Sequence, residues 1–442
     1  MITHSFRDIW KIAGPIMLSL LAQNIVGVTD TAFLGRVGEV ELGASAIGGV
    51  FYLIIYMVVF GFTTGVQILI ARRSGEKNHT SIGRIFDNSF YFVGFISLLF
   101  TAVIFFLGPL FLRMILSSEA IFQASSEYLK YRVLGLFFAS SALLFRSFYT
   151  GISFTKYLSI SAGIMAVLNI ILDYAMIFGH WGFPEMGIRG AAIASSISEA
   201  CALLFFVWVT WGNKRLAMYN LFALVKPDFA IIRKILDTSV FVMMQFILSF
   251  GSWFVFFMMI EKMGERSLAV SNIIRSVYIF LMIPGWAFGS VTSTLVSEAL
   301  GEGKPESVIP IIFRIVKYSF ISLSAVILVA LVFPRLAISV YTSNQDLAQA
   351  TLPSFYIILG ALAVFSVTSI FFNGLLGTAN TKTSLLIEAI TLSAYLGFTW
   401  LSAVHLKLAI EWVWLAEYVY FILIGALSLW YLTKGDWRTK RI

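Results

Sequence analysis

Charge is scarce in this chain: 12% of its 442 residues are Asp, Glu, Lys or Arg, about half the share of an ordinary soluble domain. With 59% hydrophobic residues and a mean hydropathy of +0.90, a water-soluble globule is excluded. The single cysteine, Cys201, rules out a disulfide framework, and four scattered histidines offer no metal-ligand spacing. No Gly-rich phosphate loop, H-E-x-x-H or G-x-S-x-G stretch occurs, so the common nucleotide, metallopeptidase and hydrolase signatures are missing. No cofactor is expected. Basic residues exceed acidic ones for a net charge of +8. They lie between apolar runs rather than on one face, so nucleic acid is not an expected partner.

What the chain does have is apolar runs. About 20 such residues cross a bilayer, and runs of that length fall at 9–35, 44–71, 86–112, 128–152, 157–179 and 188–211. Six more fall at 235–260, 268–297, 309–333, 352–377, 383–404 and 408–432. The first is too long for a cleaved signal peptide and reads as a retained span. The expected fold is an all-α integral membrane protein of twelve transmembrane helices. Six-helix bundles at 1–211 and 231–442 are joined by a cytoplasmic linker at 212–230 and enclose a central cavity. With the N-terminus in the cytoplasm, 21 basic residues fall inside, Arg146, Lys440 and Arg441 among them, against nine outside. By the positive-inside rule both termini are cytoplasmic, in the cell (inner) membrane. Arg275 is then the only base within a span.

The halves repeat. At a shift of 226, residues 38–76 match at ten of 39 positions, including Gly38 on Gly264, Tyr52 on Tyr278 and Glu76 on Glu302. The same shift sets "GISFTK" (151–156) on "GTANTK" (377–382). Six spans per repeat make it parallel, a common scaffold for alternating-access transport.

Against that symmetry stand acids in the membrane, where a lone carboxylate costs several kcal/mol. A rise of about 1.5 Å per residue puts Asp30 roughly 28 Å and Asp173 roughly 25 Å from the cytoplasmic edge, with Ser195 at a similar level. Asn169 is one turn from Asp173, and Gln23 two turns from Asp30. At the 226 shift Asp30 falls on Phe256, Asn169 on Tyr395 and Asp173 on Thr399. The polar set belongs to one half, as a task would and a fold requirement would not. Two carboxyls close together in an apolar bundle favour binding a proton. Asp30, Asp173, Asn169 and Ser195 are therefore candidates for proton coupling, with sodium on the same oxygens as the variant. Glu199, deep in the sixth span, is either a further member of this set or a structural hydrogen-bonder. Arg275 and Glu417 sit at similar depths and are expected to pair with each other; contact with cargo is their other reading. A cavity with few fixed charges is expected.

"VTDTAFLGRVG", "LNIILDYAMIFG" and "GIRGAAIASSIS" resemble the multidrug and toxic compound extrusion family, in its DinF-like branch, and the likeness runs over the whole chain. The resemblance implies export of varied amphipathic or cationic small molecules against inward proton or sodium flow, by a monomer in the lipid bilayer, with no enzymatic activity. It makes Asp30 the protonation residue and Asn169 and Asp173 its partners. Ser195 stands at a position where Thr is common, Gln23 at a polar position of the cavity, and Pro15 at a helix-bending one. Val26 departs from the Tyr often found in the branch. Gln245 and Gly360 replace the acids of the NorM-like branch. Lipid-linked oligosaccharide flippases of the same superfamily are the rival reading, although they usually have fourteen spans. A membrane-embedded lipid-modifying enzyme and a passive channel are rivals from other classes.

Overall fold

A computed structural model describes residues 5–223, 226–342 and 344–438; Lys440 and Arg441, two of the expected cytoplasmic anchors, lie outside the described residues. Among the described residues, twelve helices are long and apolar enough to cross a bilayer. Helices are what such runs form in lipid, because every backbone N–H and C=O must then be satisfied within the segment. The first six are α1 (Phe6–Val37), α2 (Glu39–Gly75), α3 (His79–Ile115), α4 (Glu119–Gly151), α5 (Lys156–Phe178) and α6 (Ile188–Gly212). The others are α7 (Phe229–Glu261), α8 (Glu265–Gly301), α9 (Pro305–Val332), α10 (Gln345–Gly377), α11 (Thr381–His405) and α12 (Ile410–Lys434). Their number and order are those read from the apolar runs. Most begin or end several residues beyond the run, since polar end turns still close helical hydrogen bonds.

The 226-residue register survives in three dimensions. Helices α2 and α8 are both 37 residues long, with bounds 226 apart. Each is followed by a left-handed residue at the same register position, Lys77 (φ 55°) and Gly303 (φ 72°). Ser153 (φ 56°) and Ala379 (φ 63°) form a second such pair, after α4 and α10. Gly satisfies this conformation without strain, whereas Lys, Ser and Ala pay for it.

Contacts divide the chain into two compact units. The first is Gly14–Ser239; the second holds the described residues up to Ala13 and those from Val240 onward. Helix α1 therefore passes from one unit to the other beside Pro15, where a turn of helix lacks one backbone donor. In the first unit the segment after α6 is pinned to α3. The Asp87 carboxylate accepts the Phe222 and Ala223 N–H groups at 2.9 and 3.1 Å, and Asn88 accepts that of Asp228 at 2.7 Å.

Candidate functional site

Helices α1, α2, α4, α5 and α6 of the first unit surround a cavity of about 310 Å³. Close packing sets its walls. A Cβ at Gly190 would come within 2.6 Å of the Met176 carbonyl oxygen, so α5 and α6 meet backbone to backbone there. That contact brings the polar residues of α5 against Ser195 of α6.

Asp30 lines the cavity, and Asp173 lies fully buried behind the wall. Their carboxyls are close enough to interact as a hydrogen-bonding pair, with Ser195 beside Asp30. Asn169 donates its Nδ2 hydrogen to Ser195 Oγ at 3.3 Å. No N–H or hydroxyl reaches either oxygen of Asp173 or Oδ1 of Asp30. Two facing carboxyls have acceptors and no donor between them. A proton on one supplies the missing donor, and without it each buried oxygen carries an uncompensated desolvation cost of about 1–3 kcal/mol or more.

Glu199 also lines the cavity but has partners. Arg132 grips it with two bonds, Nη1 to Oε2 at 2.8 Å and Nη2 to Oε1 at 2.5 Å, and the Tyr52 hydroxyl donates to Oε1 at 3.2 Å. The Arg132 guanidinium lies 3.8 Å from the Tyr52 ring centroid. Gly135, in the tight turn that interrupts α4, leaves space for this pair; a Cβ there would lie 2.7 Å from Glu199 Oε2. Gln23 lines the same cavity and accepts from Arg146 Nη1 at 3.0 Å. Val26 lines it too, and hydroxyls come from Tyr52 and Tyr56 of α2.

Asp30, Asn169, Asp173 and Ser195 thus converge, with Gln23 and Glu199 on the same cavity. Arg275 and Glu417 belong to the second unit, do not line this cavity and do not pair, contrary to expectation. Both Glu417 oxygens are taken by tyrosines, Tyr278 at 2.9 Å and Tyr395 at 3.2 Å. Arg275 instead stands over the Phe257 ring at 5.1 Å. A second correction concerns fixed charge. Arg275 is not the only base within a span, because α4 carries Arg132 and Arg146 to the cavity wall. The cavity is consequently rich in charge, with Asp30, Glu199, Arg132 and Arg146 on its wall. Sequence reasoning missed these arginines because each sits near one end of the apolar run.

Comparison with known proteins agrees with this geometry. The family profile MatE matches residues 15–175 and 242–401, one stretch in each half. The chain is 26% identical over 441 residues to a probable multidrug resistance protein NorM from Thermotoga maritima, covering 99% of this chain and 94% of that one. A MOP superfamily transporter from Pyrococcus furiosus superposes with a TM-score of 0.89 at 17% identity, covering 98% of this chain and 97% of that one. A mutant of the Vibrio cholerae MATE transporter VcmN gives 0.89 at 16% identity, with 98% of both chains covered. Twelve apolar helices, a duplicated six-helix plan and a profile match in each half have one reading: the chain is a multi-pass membrane protein of the MatE transporter family.

Proposed function

We propose that this chain is a proton-coupled antiporter that exports varied amphipathic or cationic compounds by alternating access. Both termini face the cytoplasm of the inner membrane, and the chain works as a monomer. The observation that supports the coupling ion is the Asp30–Asp173 pair, in which three buried oxygens, Oδ1 of Asp30 and both of Asp173, have no donor. Such a pair is stable with a proton and costly without one, so protonation and helix arrangement are linked. Sodium on the same oxygens is the variant, with only two carboxylates and the Asn169 and Ser195 oxygens to hold it. Coupling lies in the first unit, Pro15 gives α1 a place to bend, and the NorM relative supports breadth of cargo. The flippase reading gains from the cavity arginines, but twelve spans count against it.

The test uses proteoliposomes with an imposed proton gradient and a fluorescent cationic dye, with and without sodium. Asp30→Asn should reduce gradient-driven dye movement about 100-fold or more, the scale of a lost proton-transfer group. Unchanged dye movement in that variant would reduce Asp30 to a packing residue.

A further inference from the structure

The two cavity arginines are served differently. Arg132 has a carboxylate gripped by both nitrogens and a tyrosine ring against its face. Arg146 has no ion-pair partner among the described residues: its contacts are the neutral Gln23 amide oxygen, at 3.0 Å, and the neighbouring Tyr56 hydroxyl. A guanidinium offers more N–H donors than these two groups accept. An arginine near the end of a lipid-facing helix extends towards water. This one folds inward against Gln23 and lines the cavity instead.

The charges nearby do not neutralise it. Glu199 is committed to Arg132, and Asp30 interacts with Asp173. Gln23, which anchors Arg146, precedes Asp30 by two turns of α1, about 10 Å. The cavity therefore has an acidic pole at Asp30 and a basic pole at Arg146. The wall also carries apolar side chains, among them Val26, Leu143, Met165 and Phe206. An uncompensated cation in such surroundings is costly until an anion reaches it, and a planar guanidinium suits the paired oxygens of an acid group.

We propose that Arg146, with Tyr56 and Gln23, forms an anion-binding subsite of this cavity that takes the carboxylate or sulfonate group of an amphipathic cargo. The cargo class then includes acid-bearing amphiphiles as well as cations. This rests on the first-unit cavity being the cargo site.

Dansylglycine and its uncharged amide, titrated by calorimetry into the whole protein in nanodiscs against empty nanodiscs, test it. The acid should bind wild type about tenfold more tightly than the amide, the scale of a charged hydrogen-bonded contact. With the unfolding midpoint of the variant in nanodiscs reporting an intact fold, Arg146→Gln should abolish that preference. Arg146→Lys should keep part of it, since a point charge lacks the fork. Equal affinities in wild type, or a preference that survives Arg146→Gln, would overturn the subsite. Dansylglycine that fails to bind while the cationic dye still moves through Asp30 also overturns it and leaves the antiport reading standing. Dye movement indifferent to Asp30 sinks that reading, and the acid-to-amide ratio alone then judges the subsite.

Discussion

The two units keep the same turns and hold different things inside them. In the first, Asp30, Asn169 and Asp173 cluster beside a cavity. At the corresponding positions the second has Phe256, Tyr395 and Thr399. The Phe256 and Tyr395 rings stack at 5.4 Å, and Trp414 packs edge-on to Phe256 at 5.1 Å, with all three buried. Buried acids also occur in the second unit, but Glu417 has a tyrosine hydroxyl on each oxygen, and Glu388 has the Ser249 and Tyr420 hydroxyls on Oε1. An acid kept for structure is given donors. In the first-unit pair, both Asp173 oxygens and Oδ1 of Asp30 have no donor, which is the arrangement that calls for a proton. Tyr52 and Tyr278, equivalent in register, each hydrogen-bond a glutamate, yet Glu199 and Glu417 come from different register positions. The scaffold was duplicated, and its polar interior was not kept in common.

Four substitutions, two of them combined with a change at Glu199, sharpen that contrast. Arg132→Met should cost most, about 3–5 kcal/mol, because it strands Glu199 as a buried charge. Adding Glu199→Met should restore much of it, read as unfolding midpoints in detergent. On the other side, Phe256→Ala opens the aromatic cluster and should cost about 3–5 kcal/mol, close to the first effect and without rescue by any charge change. Gly135→Ala should cost about 1–3 kcal/mol by pressing a methyl group on the Arg132–Glu199 pair. Adding Glu199→Ala should lower its unfolding midpoint further, because the Arg132 guanidinium is then left buried without its carboxylate. Smallest of all, Glu417→Gln keeps an acceptor for the tyrosines and should cost about 1 kcal/mol or less. Dye export by Glu417→Gln should stay near wild type; a loss as deep as that of Asp30→Asn would move coupling into the second unit and erase the contrast.

Apolar runs made the twelve helices and their order readable in the sequence, because a bilayer imposes length and composition directly. The acid set was readable too, since a carboxylate in such a run stands out and residues four apart share a helix face. Arg132 and Arg146 were not. Near the ends of an apolar run a base looks like an interfacial anchor, and only the packing of α4 against α1 and α6 shows both at the cavity. Nor could sequence position separate the partners of Glu417, because depth along a helix does not fix which face a side chain takes. The left-handed turns at Lys77 and Ser153 carry ordinary residues and gave no local signal.

The burial of Asp173 behind the cavity wall sets an order of events. It touches no open space, while Asp30 does. Under the proposed mechanism the pair is a queue rather than two parallel seats. A proton gets to the inner place only after passing the outer one, and it leaves by the same way. Cargo at the wall then contends with Asp30 alone, while the shared proton can withdraw to Asp173.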